Sequence, residues 1–349
     1  MREETAAAAA VDRAGDPDRQ AAAAVFDPET TARLAALDAA SDEHAAAQRP
    51  ANTVRSYAAD WKAWTRYAAA RQLPELAATR GTLRGFVAWL WHDVGAAPST
   101  IDRRLAGVVV TLRREHRVLV NADDTAAARE LLKDYVTKAA KAKEAPRGRG
   151  QAEALTLADL RRISAACPDT LAGIRDRALV LVSFAVAARR SEAAGLLVLD
   201  VADDPRGLVV DVRVTKTRPR QVAVPYGSDP LTCPVRAWQA WKAAAALDAE
   251  PESAAFRRVD RHGRLLGELS GEAAGAVVTR AAERAKVTLH LTGHSVRAGL
   301  ATAARAAGKD RKAIADTTGH AHGSPVLDQY LRTVDRWSPD ENALIGIGL

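Results

Sequence analysis

The chain has 349 residues, of which 48% are hydrophobic and 27% are charged. This length allows two domains with separate hydrophobic cores. No apolar run approaches the roughly 20 residues of a membrane span, and the N-terminal residues lack the apolar core of a signal peptide, so we expect a cytoplasmic protein. The two cysteines, Cys167 and Cys233, lie far apart without a Cys-x-x-Cys partner, which favours reduced thiols over a disulfide or a zinc site.

The net charge of +7 is distributed unevenly along the chain. Residues 1–44 contain four basic and ten acidic residues, so the rest of the chain has a net charge of +13. A basic body suits a polyanion such as DNA, because neutralising phosphates releases counterions, but a basic solvated surface explains the same composition. Residues 1–26 are acidic and rich in alanine, and we expect this tail to be disordered.

Residues 27–137 are expected to form an all-helical domain. Five segments in it predict helices: 28–46, 52–71, 83–94, 100–117 and 125–141. Ser99 or Thr100 can cap the fourth of these helices. The second helix has an apolar stripe that predicts one buried face: Val54, Tyr57, Ala58, Trp61, Trp64 and Tyr67.

Residues 138–152 interrupt this pattern with lysines and arginines among proline and glycine, a composition typical of a linker. The segment is either a solvated connector or a basic strap along the DNA backbone, and the flanking domains favour the strap.

The second domain, residues 153–349, is expected to be mixed α/β. The nearly all-apolar segment 178–188 predicts a buried helix, and alternating residues over 208–214 and 221–224 predict a β-hairpin with a basic turn. Further helices are predicted over 234–247, 271–285 and 295–307. The fold class predicted for the whole chain is mainly α with a small antiparallel β-sheet.

A dispersed set of residues suits phosphodiester chemistry: Arg189, Glu192, Lys216, His294, Arg297, His320 and Tyr330. Guanidinium groups can clamp a phosphate, lysine or histidine can transfer a proton, and tyrosine can attack phosphorus. No cluster of metal ligands accompanies this set in the sequence, and we expect no metal or other cofactor.

Each part of this set also has a plainer explanation. Arg189 and Glu192, three residues apart, can form a structural ion pair. His294 and Arg297 project together from a predicted helix start, which favours an anion but does not by itself establish a phosphate site. Tyr330 taken alone fits a half-buried core position.

The order of these residues resembles the tyrosine recombinases, the phage-integrase family. An arginine with a glutamate three residues later precedes a lysine in a hairpin turn, and His-x-x-Arg, Gly-His and Tyr follow. The resemblance covers about residues 27–345, and segments 293–299 and 330–332 look closest to the Cre-like members. It implies a C-shaped clamp made of a helical core-binding domain and a mixed α/β catalytic domain.

The resemblance also implies a role for each residue. Tyr330 would form a 3′-phosphotyrosine and free a 5′-hydroxyl, while Arg189 and Arg297 hold the non-bridging oxygens. Lys216 would protonate the departing 5′-oxygen. His294 would exchange a proton with Tyr330.

Two further residues of the set have supporting roles in this scheme. His320 would donate a hydrogen bond to the phosphate. Glu192 would act as a buttress rather than as a catalyst.

The chain departs from the family pattern at three places. Ala298 stands where most members have histidine, which puts a proton relay there in doubt. Tyr330 follows His320 by ten residues where nine is commoner. Ala187 and Ala188 replace the usual Gly-Leu, which we interpret as a mild change at a buried helix end.

Residues expected to contact DNA are Thr53, Arg55, Ser56, Ser99, Thr100, Arg103, Arg218, Arg220 and Glu272. For each of these residues in the first domain, helix capping or simple solvation is about as good an explanation as contact with DNA. Glu272 can accept from a cytosine or cap its helix, and the sequence does not distinguish the two.

The implied partner is double-stranded DNA with an inverted-repeat target site, bound by a homotetramer on paired sites and not by a membrane. The apolar segment 342–349 is expected to dock into a neighbouring subunit, with docking on its own domain as the alternative. A recombinase with this chemistry would associate with the nucleoid. Two other functions stay open: DNA relaxation like that of a type IB topoisomerase, and DNA binding without turnover.

Overall fold

The computed structural model describes residues 27–47, 50–148, 150, 152–213, 215 and 218–331. The chain divides into two compact units, Met1–Gly148 and Arg149–Leu349. The predicted fold class is confirmed, since helices dominate and the strands form small antiparallel sheets. The tail expected over 1–26, Lys216 and the apolar segment 342–349 lie outside the described residues.

The first unit is helical wherever its regular structure is described. Its helices are α1 Pro28–Ala47, α2 Ala51–Ala70, α3 Arg80–His92, α4 Pro98–Arg114 and α5 Ala122–Lys141. Aromatic rings form the centre of the core, where Trp64 and Phe86 pack edge to face with 5.2 Å between ring centroids.

Only the C-terminal half of the predicted stripe on α2 is buried. Trp64 and Tyr67 lie in the core, whereas Val54 is 49% exposed. The N-terminal half lines an open groove of about 260 Å³, formed by Val54, Tyr57, Ala58, Trp61, Thr111 and Glu115. Periodicity identifies the apolar face of a helix but not whether another element packs on it, so the predicted burial was too extensive.

The second unit combines helices with two antiparallel sheets. Its helices are α6 Leu157–Ala166, α7 Leu171–Ala185, α8 Arg190–Gly195, α9 Pro234–Ala244, α10 Gly271–Arg284, α11 Ser295–Ala306, α12 Arg311–Thr318 and α13 Pro325–Leu331. Its strands are β1 Val201–Asp204, β2 Gly207–Val212, β3 Arg220–Pro225, β4 Arg257–Val259 and β5 Leu265–Glu268.

The buried helix predicted over 178–188 coincides with α7 over residues 178–185, whereas α7 begins at Leu171 and ends at Ala185. Trp238 and Trp241 of α9 belong to the same buried core as α7. The predicted hairpin is β2–β3, with Val212 opposite Arg220. The sequence analysis missed β1, which extends this sheet, the separate pair β4–β5, and helix α12. Strands of three or four residues carry too little alternation to be recognised in a sequence.

None of the helices in the described segments is both long and apolar enough to cross a membrane.

Candidate active site

Three of the predicted catalytic residues of the second unit lie at helix ends. Arg189 is the N-cap of α8 and follows the end of α7 by four residues. His294 is the N-cap of α11, and His320 comes just after α12. Helix ends have unpaired backbone N–H and C=O groups, so they attract polar side chains and ions. The hydrogen bonds described below join these ends into one cluster.

Glu192 is a buried carboxylate held between two arginines. Nη1 of Arg189 donates to its Oε1 at 2.5 Å, and Nη2 of Arg220 donates to its Oε2 at 2.9 Å. The backbone N–H of Arg189 also donates to Oε2, at 3.0 Å. Burial raises the pKa of Glu192, but the hydrogen bonds and charges of Arg220 and Arg189 outweigh this effect and hold the pKa below its ordinary value. Glu192 is therefore ionised and holds the two arginines in place, which agrees with the supporting role expected for it.

Arg297 joins the end of α7 to His320. Its Nη1 donates to the carbonyl of Ala187 at 2.9 Å, and its Nη2 lies 3.1 Å from Nε2 of His320. A guanidinium has only donors, so Nε2 must accept and the histidine proton must sit on Nδ1. Nδ1 lies 2.8 Å from the hydroxyl of Thr318, which itself donates to the carbonyl of Ile314 at 2.7 Å.

This tautomer differs from the one that the implied role of His320 requires. A donor to phosphate needs the proton on Nε2, whereas Nε2 accepts from Arg297 here. The Thr318 hydroxyl can serve either tautomer because it both donates and accepts. A role for His320 as a phosphate donor thus requires a tautomer change.

Burial and positive charge keep the histidines of the cluster neutral. Burial, followed by the charges of Arg297 and Arg189, lowers the pKa of His320 to about 4. Burial and the charge of Arg189 lower the pKa of Arg297 to about 10, which leaves it charged at neutral pH. Desolvation and the charges of Arg190 and Arg297 also lower the pKa of His294. Such a site favours a bound anion over an added proton.

The free energy of unfolding should fall as the pH drops from about 6.5 to about 4 because of His320. In this window the unfolded chain binds a proton at His320 and the folded chain does not, so acid favours unfolding, by at most on the order of 3 kcal/mol. Urea unfolding of wild type and His320→Gln across this range measures the effect. The difference between the two proteins should shrink toward pH 4, and a difference independent of pH contradicts the assignment.

Tyr330 lies on α13 beside this cluster. Its ring centroid is 5.9 Å from that of His320, and its negative form would interact with Arg297. The half-buried ring packs against an apolar group that includes Ala301 and Leu327. The position of Tyr330 fits both interpretations of the sequence, a half-buried core residue and a nucleophile, because its ring packs on a core and lies beside the charged cluster.

Lys216 lies outside the described residues, between the ends of β2 and β3. Near it, Nη2 of the half-exposed Arg218 lies 2.9 Å from Oδ1 of Asp316 on α12. The hairpin loop is therefore attached to the helix that precedes His320. The expected contact of Arg218 with DNA stays a prediction.

The expectation that Arg220 reaches DNA from the turn is wrong. Arg220 is the first residue of β3, and its side chain is 5% exposed. Residues 220, 222 and 224 face the interior because alternate residues of a strand share a face. Besides Glu192, its guanidinium donates to the carbonyls of Val186 and Thr317, each at 2.9 Å.

Capping does not explain the polar residues that open α2 and α4. The N-caps of these helices are Pro50 and Ala97, and neither provides a side-chain cap. The predicted cap at Ser99 or Thr100 is therefore wrong, since both lie in the first turn. DNA contact stays a prediction for the remaining residues of this group: Thr53, Arg55, Ser56, Ser99 and Thr100.

Arg103 has a structural contact that the sequence did not reveal. Its Nη1 lies 2.6 Å from both carboxylate oxygens of Asp60, which is fully buried on α2. Desolvation raises the pKa of Asp60, and the bond from Arg103 only partly offsets it. Arg103 therefore joins α4 to α2, whether or not it also reaches DNA.

Arg103→Ala should destabilise the first unit by on the order of 3 kcal/mol, because it leaves a buried carboxylate without its partner. Urea unfolding measures this loss, with Arg114→Ala on the exposed face of the same helix as the control. Adding Asp60→Asn to Arg103→Ala should recover part of the stability. Equal effects of the two arginine substitutions would argue against the structural role.

Glu272 does not cap its helix. The hydroxyl of Ser270 accepts from the backbone N–H of Ala273 and is the N-cap of α10. Glu272 is exposed and lies 3.5 Å from Nη2 of Arg190. Both residues line a groove of about 700 Å³ that also includes His294. Capping by Glu272 is therefore excluded, and its contact with a cytosine stays a prediction.

The replacement of Gly-Leu by Ala187-Ala188 is less mild than we expected. Ala187 has φ +49°, in the left-handed region that favours glycine. A side chain in this conformation costs about 1 kcal/mol. The carbonyl of Ala187 is the acceptor for Arg297, so the strained turn positions a site residue.

Among the described residues, no group of three or more His, Cys, Asp or Glu side chains is placed to hold a metal ion.

The sequence model of the phage integrase family matches residues 153–336, about half of the chain. The chain belongs to this family. A curated relative in Selenomonas ruminantium, an integrase/recombinase XerD homologue, is 27% identical over 77% of this chain and 78% of its own length. Tyrosine recombinase XerD of Corynebacterium glutamicum is 34% identical over 42% of this chain and 45% of its own. The family predicted from the residue pattern is confirmed, and the closer likeness to Cre-like members stays a prediction.

Solved structures of a lambda integrase and of XerH recombinase share the fold. A lambda integrase fragment, residues 75–356, bound as a dimer to core-site DNA, has a TM-score of 0.57 at 14% identity and covers 86% of this chain and 96% of its own. XerH recombinase bound to its palindromic difH substrate has a TM-score of 0.51 at 13% identity and covers 79% of this chain and 74% of its own.

Proposed function

We propose that this protein is a site-specific DNA recombinase that cuts and rejoins strands through a 3′-phosphotyrosine intermediate. One observation carries the proposal: helix ends bring Arg189, Arg297 and His320 together beside Tyr330. The curated relatives are named as recombinases, and the lambda integrase and XerH structures contain their DNA sites. Double-stranded DNA with inverted repeats is the proposed substrate.

The charges of the cluster suit a phosphodiester. Glu192 offsets one of the three guanidinium charges contributed by Arg189, Arg220 and Arg297, so a net charge of about +2 remains for an anion. The phosphodiester carries one negative charge and gains more as the fifth oxygen approaches. Preorganised donors stabilise that developing charge, which is the main catalytic effect we assign to Arg189 and Arg297.

The proposed reaction conserves one phosphoester bond. The Tyr330 oxygen bonds to phosphorus as the bond to the 5′-oxygen breaks, and the 5′-hydroxyl of another strand later reverses this exchange. His294, whose lowered pKa leaves it neutral at pH 7, can accept the tyrosine proton. Lys216 would supply a proton to the leaving oxygen. Because cationic side chains fill the electrostatic role, we expect activity in EDTA.

Covalent capture tests this function. Wild-type protein is incubated in EDTA with nicked duplexes that carry inverted repeats, from the source replicon or from a random library. Protein–DNA adducts that survive SDS are isolated, and the attached strands are sequenced. Adducts enriched for one repeat support a site-specific recombinase. Adducts with no sequence preference favour topoisomerase-like relaxation, and DNA binding without adducts favours a silent relative.

We also propose a homotetramer on paired sites, assembled through the apolar segment 342–349. The second unit has an open apolar groove of about 370 Å³ whose lining includes Leu157, Phe184, Tyr226 and Leu300. Leu157 is 53% exposed and adds apolar surface to this groove. A lambda integrase of the same fold was solved as a tetramer on a Holliday junction. We assign the groove to segment 342–349 of a neighbouring copy.

Deleting 342–349 tests this assignment. The deletion should abolish paired-site complexes in native gels while cleavage of a single nicked site persists. Loss of monomer stability in the deletion protein would instead favour docking of the segment on its own domain.

A further inference from the structure

Arg220 connects three parts of the second unit that meet at the candidate site. Its Nη2 donates both to Glu192 on α8 and to the carbonyl of Val186 at the end of α7. Its Nε donates to the carbonyl of Thr317 near the end of α12. Arg220 itself begins β3, the strand that follows the loop containing Lys216. One buried side chain thus links the Lys216 hairpin to the helices that carry Arg189 and His320.

The two oxygens of Glu192 are divided between two arginines. Oε2 accepts from the Arg220 side chain and from the backbone N–H of Arg189, so the Arg189 side chain donates only from Nη1, to Oε1. Among the described residues, Nε and Nη2 of Arg189 have no hydrogen-bond partner, and the side chain is 16% exposed. Arg189 therefore keeps one edge of its guanidinium available. An arginine beside an unshared carboxylate prefers a bidentate pair, which uses two N–H groups along one edge.

We propose that Arg220 is a positioning residue for strand transfer: by occupying Oε2 of Glu192, it leaves the open edge of Arg189 to bind the phosphate. Without Arg220, the carboxylate attracts a second N–H of Arg189 and turns the guanidinium away from the DNA. The carbonyls of Val186 and Thr317 would also lose their donor, which loosens the attachment of the hairpin. This inference rests on the proposed recombinase function.

Gly319 fits this assignment for a steric reason. It adopts φ +67°, and a Cβ built at this position would lie 3.1 Å from both Cδ and Nη1 of Arg220. The Gly-His pair therefore places His320 while leaving space for the buried guanidinium.

Single-turnover cleavage of nicked duplexes tests the proposal. Arg220→Gln should lower the cleavage rate by about 100-fold, the cost of a misplaced reacting group, with DNA affinity within about threefold of wild type. Adding Glu192→Gln should recover about tenfold, because a neutral amide no longer captures Arg189. A merely structural defect predicts the opposite, since the second substitution removes another buried contact.

The matched control is Arg175→Gln. Arg175 is equally buried in the same unit, where it pairs with Asp176 at 2.8 Å and donates to the carbonyl of Arg257 at 2.7 Å. It touches none of the site residues, so cleavage by folded Arg175→Gln should match wild type. Arg220→Met, which keeps the side-chain volume, is tested in parallel with the same expected loss and rescue in case Arg220→Gln does not fold.

The possible failures are distinguishable. Absence of adducts with wild type would overturn the proposed function. Normal wild-type adducts together with unimpaired Arg220 variants, or with no rescue by Glu192→Gln, would overturn the positioning role alone.

Discussion

Tyr330→Phe is expected to abolish the covalent protein–DNA adduct, a loss of at least about 1,000-fold, because it removes the hydroxyl oxygen that we propose as the nucleophile. DNA affinity should stay within about twofold of wild type, because the phenyl ring preserves the packing against Ala301 and Leu327. The measurement is the yield of SDS-resistant adduct on nicked duplexes in EDTA, with binding followed separately by gel shift.

Tyr226→Phe is the matched control for this substitution. Tyr226 lies in the same unit, and its hydroxyl contacts Gln239 at 3.3 Å, remote from the charged cluster. Its loss should leave adduct formation on a single nicked site unchanged, because the groove that Tyr226 lines is assigned to subunit contact and not to cleavage. Adducts that persist in Tyr330→Phe would exclude Tyr330 as the nucleophile. Loss of metal-free adducts in wild type would show that the side-chain cations are insufficient for the reaction.

Arg297→Gln should lower the cleavage rate by about 100- to 1,000-fold, the range found when one preorganised oxyanion donor is removed. Burial is the largest cause of the lowered pKa of His320 and the charge of Arg297 is the next, so the same substitution should raise this pKa above about 4. Cleavage is measured in single turnover, and the histidine pKa by ¹⁵N NMR of its ring.

Arg297→Lys separates charge from geometry. Lysine keeps the positive charge, so the pKa of His320 should stay low. A single ammonium does not reproduce the planar fork that joins the Ala187 carbonyl to His320, so cleavage should still be impaired. If both variants left the pKa of His320 unchanged, the electrostatic coupling inferred between Arg297 and His320 would be wrong.

Local sequence pattern was sufficient to predict many of the helices and one hairpin. The apolar periodicity over 83–94 predicts α3, whose inward side chains are buried, and alternation around Lys216 predicts the hairpin β2–β3. These elements depend on neighbours within a few positions, so their information lies in the sequence itself. The order of Arg189, Arg297 and Tyr330 likewise predicted the family that the comparison confirmed.

The partners of a side chain could not be predicted from the sequence where distant segments supply them. Arg103 is committed to a carboxylate 43 positions away, and Arg220 to partners 28, 34 and 97 positions away. Contact with DNA was expected for both because arginine at a helix start or in a basic turn can grip phosphates or read base edges. A buried carboxylate instead pairs with each arginine, although the Arg103 side chain stays 47% exposed and that of Arg220 is 5% exposed.

The sequence by itself predicted the family and the fold class, which are confirmed, because these follow from residue order and from periodicity. It also provided the candidate catalytic residues, which stay a prediction. Only the tertiary structure decided how the charges are shared: Glu192 between two arginines, His320 as an acceptor from Arg297, and Arg220 as a buried link. The physical reason is that hydrogen-bond direction and pKa depend on distance and burial, which exist only after remote helix ends have packed together.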